Sequence, residues 1–370
     1  MTDWAAIREQ FPSLAHWTYL NAATFGQLPM RATEAVHRHF THRDELACSD
    51  FLNWFDDMDG LRASIAKLIW CEPDDIAFIS NASTGLATLL TGVDWRRGDR
   101  VVTLDDEFPN QLYALGDKAR ENVEFVACPW DRFYESINER TRVVALSSTN
   151  YNTGFVPPLA EISAFLRPRG VLLYVDGTQG LGALRFDIRE IQPDVLSVHG
   201  YKWLLSPNGA AFMYVRPELR ERLRPSVIGW RSHYDWRSVD NLHHGAPEFN
   251  SKAEKYEGGM LAFALLYAMH ESIKMMLDIG PEFIEERVLG LAAQVRDVMR
   301  DLGATVSSYR SPIVTGRFAG ADPGDLARRL KERRVLVSAR KGQLRVSPHF
   351  YNNEADIERF GRELAELRRD

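Results

Sequence analysis

Seven short apolar runs, rich in β-branched residues, recur through the middle of the chain with helix-compatible stretches between several of them. The runs are 75–80 (DIAFIS), 100–104 (RVVTL), 123–128 (VEFVAC), 142–148 (RVVALSS), 171–176 (VLLYVD), 194–198 (DVLSV) and 210–215 (AAFMYV). Their length and residue types read as strands, while 83–93, 109–122 and 158–168 read as helices. Parallel strands need long crossover connections, so this alternation predicts an α/β architecture. Its core is a mostly parallel seven-stranded sheet covered by helices. Strand order is not contained in the pattern.

From about residue 258 the texture changes. A long helical pattern over 261–280 stops at Gly280-Pro281, and a second covers 282–303. Short strands follow within 311–319, 335–340 and 343–350, then a charged helix over 353–369. This predicts a smaller C-terminal α+β domain.

Composition excludes several functions. With 45 basic against 51 acidic residues the net charge is −6, and no block of like charge stands out, which argues against nucleic acid or an anionic membrane as partner. The apolar run 259–269 is too short to span a bilayer. The three cysteines, Cys48, Cys71 and Cys128, are scattered and form no CxxC pair, so a disulfide framework is not expected. The first residues lack a basic-then-apolar signal pattern, and a reducing cytoplasm is the expected location. His243-His244 is accompanied by no metal-ligand spacing, so no metal site is expected.

Three features carry chemistry. Asp176 ends a strongly apolar strand, where α/β sheets place their ligand sites and where a carboxylate needs a partner; a turn or cap aspartate is the plainer alternative. In NASTG (81–85), Ser83 or Thr84 would cap the following helix, and the free N–H groups at its start suit an anion. Lys202 sits in YKWLL among aromatic and apolar residues; it either snorkels or is held desolvated, ready to form an imine with an aldehyde. A phosphate-binding helix start, a strand-end aspartate and an apolar-set lysine 26 residues beyond it together match what pyridoxal 5′-phosphate requires.

The sequence resembles the class V aminotransferase family of fold type I pyridoxal-phosphate enzymes. That family includes cysteine desulfurases, isopenicillin N epimerase-like proteins, kynureninases and C–S lyases. The resemblance runs from WTYLNAATFGQLP (17–29) through NASTG, YVDGTQGLGALRFDI and HGYKWLLSPNGAAFMYVR to QLRVSPHFYNNEADIERF. It implies that Lys202 forms the Schiff base, Asp176 pairs with the ring nitrogen, and Gln179 bonds the phenolic oxygen. Ser83 and Thr84 would hold the phosphate, with Tyr201 and His199 nearby. Arg345 would grip the substrate carboxylate, for which a planar guanidinium is suited. Asn21 and Trp230 would line the substrate pocket. The expected division is a large domain over 16–257 and a small one from 1–15 with 258–370. A homodimer acting on a small-molecule amino acid is expected.

Departures from the family pattern narrow the activity. Phe108, in DEFPNQLY, stands where desulfurases stack a histidine, and it cannot shuttle protons. The stretch 335–347 contains no cysteine to carry a persulfide. Gly258-Gly259-Met260 replaces a Gly-Thr pair that reaches the partner's phosphate, leaving a Gly259 N–H as substitute. The reading is an aminotransferase or β-eliminating C–S lyase, working through abstraction of the α-proton. An epimerase or a kynureninase-like hydrolase is the alternative. A desulfurase is disfavoured by the missing cysteine, and an inactive relative by retention of Lys202, Asp176 and Arg345 together.

Overall fold

The protein is described by a computed structural model covering residues 2–369. Its strands are β1 (Thr18–Tyr19), β2 (Ile76–Ile79), β3 (Arg100–Leu104), β4 (Glu124–Cys128), β5 (Thr141–Ser147), β6 (Leu172–Asp176), β7 (Val195–His199), β8 (Ala211–Val215), β9 (Ala304–Val306), β10 (Val314–Phe318), β11 (Val335–Leu336), β12 (Ser338–Arg340) and β13 (Gln343–Val346). All seven apolar runs read from the sequence are strands of one sheet, in the order β2-β8-β7-β6-β5-β3-β4. The β7-β6-β5-β3-β4 pairings are parallel, and only β8 runs against its neighbours.

Side chains alternate across the sheet, as the period of two demands. Val102, Val144, Leu173 and Leu196 face one apolar cluster with the helices Phe51–Ile69, Leu159–Leu166 and Phe263–Ile279. Val101, Val143, Tyr174 and Val195 face another with the helix Ala82–Gly92. Register aligns Ser147, Asp176 and Ser197 across the carboxyl ends of β5, β6 and β7. Three polar residues thus meet at the carboxyl end of the sheet.

The C-terminal part forms a four-stranded antiparallel sheet, β12-β13-β10-β9, packed with the helices Pro281–Asp301, Pro323–Glu332 and Glu354–Leu367 around its own apolar cluster. The chain start is sewn to this part. Strand β1 pairs with β11, Arg8 forms an ion pair with Asp356 at 2.7 Å, and Phe11 packs on Phe350 and Tyr351. Among the described residues no helix is long and apolar enough to cross a membrane.

A buried ion cluster fastens the segment 229–259 to the sheet. Glu257 accepts Arg62 at 2.6 Å, Arg231 at 2.5 Å and the Phe78 N–H at 2.8 Å. Arg231 continues to Glu254 at 3.5 Å, which also takes the Trp236 indole N–H at 3.0 Å. Buried charges require this degree of pairing.

Candidate active site

Asp176 stands at the end of β6, and its Oδ1 accepts the Thr178 backbone N–H at 2.9 Å, an Asx-type turn that aims the carboxylate. Desolvation raises its pKa above the ordinary carboxylate value, opposed by Thr178 and by Lys202. Beside it, Glu107 is buried, accepting the Ser147 N–H at 2.6 Å and the Gln111 amide at 2.7 Å. Burial pushes Glu107 up to about 7.

The helix Ala82–Gly92 begins close by. Tyr174, on β6, donates its hydroxyl to the Ala82 carbonyl at 3.1 Å, and Gly85 lets the helix touch β7: a Cβ there would lie 1.9 Å from Ser197 Oγ. The cap is Asn81, whose Oδ1 accepts the Thr84 N–H at 3.1 Å. Ser83 and Thr84 therefore do not cap the helix, correcting the expectation. Asn81 is the residue with extended backbone (φ −168°), which is the cap conformation. Thr84 has spent its N–H, and the N–H groups of Ala82 and Ser83 make no hydrogen bond among the described residues. They point an anion site at this end of the sheet.

Lys202 follows β7 in a tight loop and is 7% exposed. Its ammonium forms no hydrogen bond or ion pair among the described residues. Instead Nζ lies 5.7 Å from the Phe108 ring centroid and 5.3 Å from that of Tyr201. Burial brings its pKa down to about 8. Gln179 holds the loop by accepting the Trp203 indole N–H at 3.0 Å while donating to the Ala23 carbonyl at 3.0 Å, which leaves one amide hydrogen free. His199 Nε2 accepts the Gly209 N–H at 3.2 Å, so Nδ1 carries the proton; burial and Lys202 push this ring down to about 4. Tyr201 stacks edge-on against His199 and Phe25, and its hydroxyl makes no hydrogen bond among the described residues.

Arg345 reaches the site from β13. It is 2% exposed, donating to Ser338 Oγ at 3.1 Å, the Tyr151 carbonyl at 2.6 Å and Thr24 Oγ1 at 2.7 Å. No carboxylate pairs with it among the described residues, and desolvation lowers its pKa to about 10. Asn21 joins through Thr24, which donates to Asn21 Oδ1 at 2.9 Å.

Two expected residues are engaged by other contacts. The Trp230 ring packs edge-on against Phe55 and Trp236. The Gly259 N–H is already given to the Glu257 carbonyl at 2.9 Å, so it is not free to replace the missing threonine. Conversely, Thr24, Tyr151, Thr178 and Glu107 belong to the site and were not singled out from the sequence. Only Thr178 left a local signal, the Asp-Gly-Thr turn.

These groups suit pyridoxal phosphate. They supply a buried amine without an acceptor, a strand-end carboxylate with one oxygen unpaired, and free N–H groups at a helix start. Ser197 Oγ, Ser148 Oγ and Thr149 Oγ1 near the strand ends are also buried without partners among the described residues. The aminotransferase class-V family profile matches residues 19–360. The chain belongs to that family. It is accordingly a pyridoxal-phosphate enzyme. It is similar to the uncharacterized aminotransferase YcbU of Bacillus subtilis, 25% identical over 97% of this chain and 96% of that one. It also matches the isopenicillin N epimerase of Streptomyces clavuligerus, 26% identical over 99% of each chain. The solved cystine C–S lyase C-DES shares the fold with a TM-score of 0.88, at 24% identity over 96% of this chain and 99% of that one.

Proposed function

We propose that this class V enzyme acts on an α-amino acid by removing its α-proton, and completes either transamination or β-elimination at a C–S bond. The observation that carries this is the Lys202 amine: buried, without an acceptor among the described residues, facing the Phe108 ring, and within electrostatic reach of both Asp176 and Arg345. When bound, pyridoxal phosphate supplies the aldehyde that captures amines and the ring that takes up carbanion electrons. Lys202, with its lowered pKa, serves as the base for the α-proton. Asp176 keeps a proton on the pyridine nitrogen, and the Thr178 hydrogen bond holds it in place. The Ala82 and Ser83 N–H groups and the Ser83 hydroxyl take the phosphate. Gln179 gives its free amide hydrogen to the phenolic oxygen, and Phe108 covers the ring. Arg345 binds the α-carboxylate as a planar fork.

Desulfuration through a protein persulfide is not favoured. Cys128 and Cys71 both have thiols pushed up by burial, opposite to what a nucleophilic thiolate needs. The proposal takes a homodimer as the working unit.

The deciding experiment is borohydride reduction of purified enzyme, followed by peptide mapping and assays for keto acid, ammonia and sulfide. A phosphopyridoxyl group on Lys202, lost with the near-ultraviolet band in Lys202→Ala, is expected. A label on another lysine, or a protein that takes up no cofactor, overturns the proposal.

A further inference from the structure

The hairpin β12–β13 turns through Lys341 and Gly342, both at positive φ (42° and 75°). Two successive left-handed residues define a two-residue turn that brings its strands together without a loop. Across the hairpin, Ser338 pairs with Arg345 and Arg340 with Gln343. Side chains of directly paired residues, and of residues two apart, share one face. Arg340 therefore stands on the same face as Arg345, one step nearer the turn.

Arg340 is exposed, and its only hydrogen bond among the described residues is to the carbonyl of its neighbour Ala339, at 2.9 Å. No carboxylate lies within ion-pair distance of it among the described residues. Its charge nonetheless reaches the site, lowering the pKa of both Lys202 and Arg345. Lys341 sits 5.7 Å from the ring centroid of Tyr151, whose carbonyl holds Arg345. Lys341 has a distant counter-charge in Asp106, which it stabilises as the anion; Arg340 has none within ion-pair distance among the described residues. The α-carboxylate satisfies Arg345 and leaves this second guanidinium over.

We infer that Arg340, assisted by Lys341, recognises a second anionic group, so that the substrate is an α-amino acid with an acidic side chain (a carboxylate, sulfinate or sulfonate). This rests on the proposed function for its α-amino acid chemistry, but not for its charge pattern.

Two measurements separate the two readings. In the first, holoenzyme is titrated calorimetrically with succinate and with propionate, which carry no amine. Succinate should bind more tightly, the preference should fall about fivefold in Arg340→Gln, as expected for a guanidinium–carboxylate pair at an exposed site, and it should return in Arg340→Lys. In the second, the ratio of kcat/KM for aspartate and cysteate over alanine should fall by the same factor in Arg340→Gln, mainly through KM. Equal binding of succinate and propionate, or an unchanged ratio in Arg340→Gln, overturns the inference while leaving the proposed function standing. Failure to react with any amino acid overturns the proposed function, whatever succinate does.

Discussion

Burial brings the Lys202 ammonium down to about 8 from an ordinary 10.5, with Arg345 and Arg340 adding to the shift and Asp176 opposing it. In the cofactor-free protein the sign of the consequence is fixed. Between those two values the unfolded chain holds a proton that the folded chain lacks, so stability rises with pH across the window; below about 8 the full penalty is present. The urea midpoint of cofactor-free wild type, relative to that of Lys202→Met, should therefore climb from pH 8 to pH 10.5. A flat difference would show that the amine is solvated. Uptake of pyridoxal phosphate by the same protein should accelerate through about pH 8, where the neutral amine appears. Lys202, Asp176, Gln179, Phe108 and Arg345 were legible as candidates, the first two from their odd placement and the others from family resemblance. Thr24 and Tyr151 were not, because one acts through a hydroxyl and the other through a backbone carbonyl, brought to Arg345 by tertiary packing alone.

The helix Ala82–Gly92 shows how little freedom the anion site has. Replacing Asn81 by alanine removes the cap and should lower stability by about 1 kcal/mol in denaturant unfolding. Gly85→Ala drives a methyl into Ser197 Oγ, a short side chain with nowhere to move. It should cost about 1–3 kcal/mol by overpacking and loosen pyridoxal phosphate in equilibrium dialysis. Ser197→Gly in the same chain should restore both; no restoration would place the fault elsewhere. At this scale the sheet was readable because its strands are short, β-branched and bounded by turns. The helix Met30–Leu46 was not, since it buries only Ala32, Ala35 and His39 and so prints a faint apolar stripe. Pro323–Glu332 buries just Leu326 and Leu330. By contrast, Phe51–Ile69 carries Trp54, Phe55, Met58, Leu61 and Ile65 at helical spacing, and its signal was there to be read. Strand order and the β1–β11 pairing arise from contacts between segments far apart in the chain, which no local pattern encodes.

Across the whole molecule, the cluster of Arg62, Glu257, Arg231 and Glu254 joins the helix Phe51–Ile69, the edge strand β2 and the segment 229–259. Removing one charge strands the others in a dry setting, so Glu257→Gln should destabilise by about 3–5 kcal/mol. Because buried pairs are screened weakly, that loss should change little when urea unfolding is repeated at high salt. A loss that vanished in salt would mean the cluster is wet. The union of the two chain ends carries a different consequence. The groups proposed to hold the cofactor leave the ribosome between residues 82 and 202, whereas the guanidinium meant to seize an amino acid arrives only at 345 and must settle against Thr24, made 321 residues before it. A growing polypeptide thus acquires its reactive amine long before it has any grip on a carboxylate, and chemistry must wait until residue 345 has been made and packed.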